Sequence, residues 1–192
     1  HLSIRRQRQM CIRDRIYVTH DQLEAMSMAD TIAVMHEGEL QQLGTPREVY
    51  NQPVNAWVAG FVGEPAMNFM DVELQDLSGR TNFIHPNFSI PVTEQQQRII
   101  AAGARPGKLR MGVRPDAMSI SMAKPAEEHI TGKIFVTELL GGDMIIDVDL
   151  DDSRIRVKTS TDFEGIEGQT CYMTVNRDKW HAFSKENGKA LF

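Results

Sequence analysis

The side chain best placed to do chemistry is His20, in the tripeptide Thr19-His20-Asp21. It follows Ile16-Tyr17-Val18, a short apolar run of β-branched and aromatic residues that reads as a buried strand ending where polar residues begin. In open α/β sheets, ligands bind beyond the carboxyl ends of strands, so this place suits an imidazole that touches a ligand better than one that fills a core. Asp21 comes next as a helix N-cap, with Glu24 at the spacing that lets cap and carboxylate satisfy free amides reciprocally. On position alone, a structural histidine remains the commoner case.

The elements that must hold His20 come next along the chain. Leu23, Met26 and Ala29 put an apolar stripe on a helix of about nine residues, and Ile32-Ala-Val-Met35 reads as a second buried run. His36-Glu37-Gly38-Glu39 predicts a tight turn into Leu40–Leu43, with glycine supplying a positive φ. Thr45-Pro46-Arg47-Glu48 is a capping box with proline at the first helical position. A further short helix is expected near Pro53, burying Trp57, Val58 and Phe61.

These phrases are similar to a known family. Tyr17-Val-Thr-His-Asp-Gln-Leu-Glu-Ala-Met26, Met28-Ala-Asp30, Gly38-Glu-Leu-Gln-Gln-Leu-Gly-Thr-Pro46 and Glu48-Val-Tyr50 resemble the end of the ATPase subunit of ABC importers. The resemblance is to its sugar and glycerol-phosphate branch, the maltose-importer type. It runs almost without gaps through Phe61-Val-Gly-Glu-Pro-Ala-Met-Asn68, which in that branch leads into a β-rich domain. It implies that His20 is the switch histidine, both catalytic and nucleotide-binding, which contacts the γ-phosphate of ATP and helps hold the attacking water. Phosphoryl transfer depends mostly on positioning and on stabilising spread charge, a task an imidazole performs by donating a hydrogen bond.

Beyond Gly63 the pattern turns to short strands separated by turn residues, as in a small barrel or sandwich. Strands are expected over Phe69–Leu74, Phe83–Val92 broken by Pro86 and Pro91, Lys108–Val113, Ser119–Met122, Ile130–Leu140, Met144–Leu150, Ile155–Lys158 and Thr170–Val175, with a short helix over Glu94–Ala102. Gly112-Val-Arg-Pro-Asp116, Val136-Thr-Glu-Leu-Leu-Gly141 and Trp180-His-Ala-Phe183 resemble the family's C-terminal domain, a pair of transport-associated oligonucleotide-binding (OB) type barrels. The expected fold class is therefore α+β. Residues 16–62 would form the C-terminal end of a P-loop-type α/β ATPase domain, and 63–192 an OB-type β-barrel regulatory domain.

Residues 1–15 carry five arginines against one aspartate and do not match the pattern of residues 16–192, so they read as an anomalous, non-native junction. An amphipathic helix and a basic nucleic-acid tail are the alternatives. A phosphate-cradling glycine loop is not found: Gly103-Ala-Arg-Pro-Gly107-Lys108 has three residues between its glycines where the motif needs four, and Leu109 stands where it needs Ser or Thr. Leu77-Ser-Gly79 reads as a turn rather than a signature motif. The chain is thus expected to be a C-terminal fragment, inactive toward ATP alone, with its first 62 residues poorly soluble in isolation because Ile16–Val18 would be an unpaired edge.

With 41% hydrophobic and 24% charged residues, 192 residues can bury a core. A net charge of −5, 13 aromatic residues and the aspartates 143, 147, 149, 151 and 152 on one hairpin argue against nucleic acid. Those aspartates lack the glycine and terminal glutamate of a calcium loop, and Cys11 and Cys171 are too few for a disulfide framework. No metal ligand is assigned in the chain. No apolar run reaches the roughly 18 residues of a membrane span.

For the complete subunit the resemblance implies ATP and Mg2+ and a homodimer or pairing with a related ATPase subunit. It further implies membrane permease subunits served by an extracytoplasmic binding protein, a place on the cytoplasmic side of the membrane, and a regulatory protein or sugar at the barrel. A non-enzymatic interaction module is the competing class.

Overall fold

In the computed structural model, the described residues are 15–77, 79–103, 109–151 and 153–191. The junction segment 1–14 and the glycine-lysine stretch 104–108 lie outside them. The order begins with α1 (Gln22–Met28), the hairpin β1 (Ile32–His36) and β2 (Glu39–Gly44), α2 (Pro46–Asn51) and α3 (Ala56–Phe61). Then come β3 (Asn68–Leu77), β4 (Arg80–His85), β5 (Phe88–Pro91), α4 (Glu94–Gly103), β6 (Leu109–Val113), β7 (Met118–Ser121), β8 (Ile130–Leu140), β9 (Asp143–Asp149), β10 (Arg154–Ser160), β11 (Thr170–Val175) and β12 (Trp180–Ser184). This is a mostly β structure with few helices.

Local rules account for the helices. Thr45 and Glu48 close the capping box at α2, with Pro46 in its first turn. Asn55 caps α3 through Val58 N at 2.8 Å. Thr93 and Gln96 form a second reciprocal box at α4. The β1–β2 turn puts both Glu37 (φ +49°) and Gly38 (φ +84°) in the left-handed region, so the glutamate shares the conformation expected of the glycine alone. Val34, Val49, Val58 and Val62 make the small core beneath these elements.

The other strands form two antiparallel five-stranded sheets, ordered β10-β9-β8-β11-β7 and β12-β6-β3-β4-β5. In the first, the end strands β10 and β7 pack together, so the sheet curls toward closure. One core, from Met70, Phe83 and Met111 to Ile146, Ile155 and Met173, spans both. The chain crosses between sheets at Arg114–Ala117 and returns at Asn176–Lys179, and Asn176 N donates to Ala117 O at 3.0 Å where the crossings meet.

Two expectations are corrected. Ile16–Val18 is not a strand: among the described residues no strand pairs with it to satisfy its amides and carbonyls, and its side chains are 97%, 65% and 90% exposed. Phe61 is not buried; it is half-exposed and stacks on Trp57, which in turn stacks on His36. One strand went unanticipated: β12, which pairs with β6 from Trp180↔Val113 to Ser184↔Leu109.

Asn68 joins the sheets. Its Nδ2 donates to Arg156 O at 2.7 Å and its Oδ1 accepts from Arg156 N at 2.8 Å, a paired amide contact from β3 to the backbone of β10. Asn68→Ala is expected to lower the unfolding free energy by about 1–3 kcal/mol, because two backbone groups lose their partners. An unchanged urea midpoint and slope would refute this.

Candidate functional site at the start of the first helix

His20 is exposed and immediately precedes the N-cap of α1. Asp21 Oδ1 accepts from Glu24 N at 2.9 Å, so the predicted cap is made. The reciprocal half is not. Asp21 N donates instead to Thr19 Oγ1 at 3.0 Å, and the Glu24 carboxylate takes hydrogen bonds from Thr19 Oγ1 at 3.0 Å and Tyr17 OH at 3.1–3.2 Å. The residues flanking His20 are thus folded onto the helix start by side-chain bonds rather than by a β ladder. The Tyr17 phenol is held above its ordinary pKa, first by its hydrogen bond to Glu24 and then by that carboxylate's charge.

An open cleft of about 480 Å³ lies beside His20, lined also by Asp21, Leu23, Gly60, Phe61 and Glu64. Among the described residues its lining holds two carboxylates and no lysine or arginine. From these residues the cleft offers an anion one imidazole on its rim. Among the described residues no group of three or more His, Cys, Asp or Glu side chains could hold a metal ion. The aspartates of the acidic hairpin face cations on β10 instead: Asp149 with Arg154 at 2.6 Å, Asp147 with Arg156 at 3.0 Å, and Asp143 with Lys158 at 2.7 Å.

Gln22, Gly63 and Arg114 meet at the end of α3 beside this helix start, and their contacts were not anticipated from the sequence. Gln22 Nε2 donates to Phe61 O at 2.7 Å, and its Oε1 accepts from Gly63 N at 2.7 Å. Arg114 is only 4% exposed. Its Nη1 donates to Val62 O and to Ala59 O (3.2 Å), its Nη2 to Tyr50 O at 2.8 Å, and its guanidinium lies 4.0 Å from the centroid of the Tyr50 ring. Those acceptors belong to the carboxyl ends of α2 and α3, where carbonyls lack intrahelical partners and the helix dipole is negative. Burial lowers the guanidinium's pKa from its ordinary value, opposed by Tyr50 and Asp116. Burial likewise pushes the Tyr50 phenol up, with Asp116 adding to the effect. A signal was present in the sequence, since Arg114 sits in the Gly112-Val-Arg-Pro-Asp116 phrase and Gly63 in the nearly ungapped match, but nothing local gives their partners.

Residues 63–118 match the family model described as "MalK OB fold domain". Over 92% of its length the chain is 35% identical to the trehalose/maltose import ATP-binding protein MalK of Thermococcus litoralis, covering 48% of that protein. Over the same share it is 34% identical to the multiple sugar-binding transport ATP-binding protein MsmK of Streptococcus mutans, covering 50% of it. It is 36% identical to the xylose/arabinose import ATP-binding protein XacK of Haloferax volcanii, covering 45%. The chain spans about half the length of the curated relatives it matches.

Glu24→Gln removes the charge that keeps Tyr17 protonated, so the Tyr17 phenol is expected to titrate at lower pH, nearer its ordinary value. Ultraviolet titration of the three tyrosines, with Tyr17→Phe to identify its step, checks this. An unmoved Tyr17 step would show that the contact with Glu24 does not persist in solution.

Proposed function

We propose, for a chain that belongs to the family of ATP-binding subunits of sugar-importing ABC transporters, that residues 16–62 are the carboxyl end of the ATPase domain and that the β-sheet portion is its regulatory domain. His20 is the catalytic, nucleotide-contacting residue. It donates a hydrogen bond to the γ-phosphate of ATP and holds the attacking water in line, stabilising charge that spreads over the phosphoryl oxygens. The observation that carries this reading is the exposed imidazole on the lip of an open cleft, directly before a capped helix. The wide exposure of Ile16, Val18 and Leu23 beside it supports the reading, as an apolar surface that the rest of an ATPase domain would cover.

In the complete subunit, the phosphate-cradling lysine and the carboxylate for Mg2+ belong to the segment upstream of His20, and no step at magnesium is assigned to the residues of this chain. The subunit acts as a dimer, or paired with a related ATPase subunit, on the cytoplasmic side of the membrane. It docks on permease subunits that an extracytoplasmic binding protein supplies with a sugar or sugar-like compound such as glycerol phosphate. The β-sheet portion mediates dimer contact and receives a regulatory protein or sugar. Its large core is built from β3 to β12 alone, which favours as a second reading an interaction module that works without hydrolysis.

The purified 192-residue chain is expected to show no ATP turnover above background. A subunit extended upstream to include a phosphate loop is expected to hydrolyse ATP, and His20→Ala in it to lower kcat by about 10²–10³ while leaving ATP binding nearly unchanged. Steady-state hydrolysis with a nucleotide-binding titration reads both. Turnover by the 192-residue chain that His20→Ala abolishes, or full turnover by the extended His20→Ala subunit, would overturn the reading.

A further inference from the structure

Three consecutive residues at the end of helix α3 are gripped from opposite sides. Gln22 holds Phe61 O and Gly63 N, each at 2.7 Å, and between them Arg114 holds Val62 O. Gln22 lies two residues beyond His20 and opens α1, a helix with no buried side chain. The attachment of that helix therefore depends on hydrogen bonds, and Gln22 supplies two of them across some forty residues of chain.

The grip has little slack. Gly63 has φ +115°, and a Cβ there would stand 2.6 Å from Arg114 Nη1 and 3.2 Å from Tyr50 Cε2. Arg114 itself is fixed at the point where the chain leaves β6 for the other sheet: its carbonyl accepts from Ala117 N at 2.9 Å, and Ala117 O accepts from Asn176 N at 3.0 Å at the return crossing. A displacement of that crossing carries the guanidinium with it. Val62 moves in turn, and its neighbours on both sides hold Gln22.

We propose that Gln22 and Arg114 are a two-sided clasp on residues 61–63, through which the β-sheet portion sets the position of the His20 imidazole. Both are positioning residues, and neither touches substrate. The clasp rests on the reading of His20 as a phosphate-contacting group, and it is the device by which a ligand or partner on the sheets is felt there. The coupling is a contiguous set of hydrogen bonds whose geometry the two portions share.

The test uses the isotopically labelled 192-residue chain without nucleotide, reading the His20 ring resonances and the exchange rate of the Gly63 amide. Gln22→Ala is expected to speed Gly63 exchange about tenfold, as for the loss of one hydrogen bond, and to move the His20 resonances. Arg114→Lys keeps the charge but replaces the planar fork with a single ammonium, and is expected to move the same resonances in the same direction. The double variant should move them no further than the larger single change, since one clasp is broken once. Arg154→Ala, which removes a cation paired with Asp149 on β9, should leave them in place.

Overturning results are unmoved His20 resonances in a folded Arg114→Lys chain, or shifts that add in the double variant. If Arg114→Lys does not fold, Gln22→Ala decides alone, and unmoved His20 resonances there overturn the clasp. Either failure leaves the phosphate-contact reading intact, whereas full ATP turnover by an extended His20→Ala subunit defeats that reading and the clasp's part in it, and leaves only the structural link between Arg114, Gln22 and the His20 ring that the resonances report.

Discussion

A buried guanidinium ties the first helices of this molecule to its sheets. Removing a cation from water costs several kcal/mol unless its donors are answered. Arg114 Nη1 and Nη2 are answered by the carbonyls of Tyr50, Ala59 and Val62, and the ring face of Tyr50 covers the guanidinium, while Nε is left without a hydrogen-bond partner among the described residues. Hydrogen bonds to a charged group contribute about 1.5–3 kcal/mol each, more than neutral ones. The acceptors are the carbonyls that helices leave unpaired at their carboxyl ends, so one side chain satisfies the ends of α2 and α3 together. Gly63 completes the arrangement by leaving room for the guanidinium.

From that point the route to His20 is short. Gln22 bonds to the residues on either side of the one Arg114 holds, and Asp21 and Glu24 fix the turn that carries the imidazole. The cleft beside it is acidic and open. Such a site suits a single contact to a phosphate whose charge is met elsewhere, the role proposed for His20.

Much of this was legible from local signals. The Thr45–Glu48 capping box, the Gly38 turn and the alternation of Phe69–Leu74 each arise from chemistry within a few residues, and each is found in the structure. What failed depends on distant partners. Ile16–Val18 has strand composition but no neighbour to pair with, and Phe61 has a core residue's composition but sits beside an open cleft. β12 is short and rich in aromatic residues, and its place is set by β6, far back in the chain. Arg114 lies in a quotable motif, yet only the folded chain shows what it grips. The aspartates of β9 read from the sequence only as an acidic hairpin, because the arginines and lysine that meet them are in the next strand.

The last residues return to the first helices. Ala56 N, an amide at the start of α3, donates to Gly188 O at 2.8 Å, and Ala190 N donates to Val54 O at 3.0 Å, with an antiparallel bridge between Asn55 and Lys189. The ribosome delivers residues 188 and 190 long after residues 54 and 56. The opening amide of α3 gains its partner only once residue 188 is in place, so this short helix is completed after the β-sheet portion that follows it in the chain.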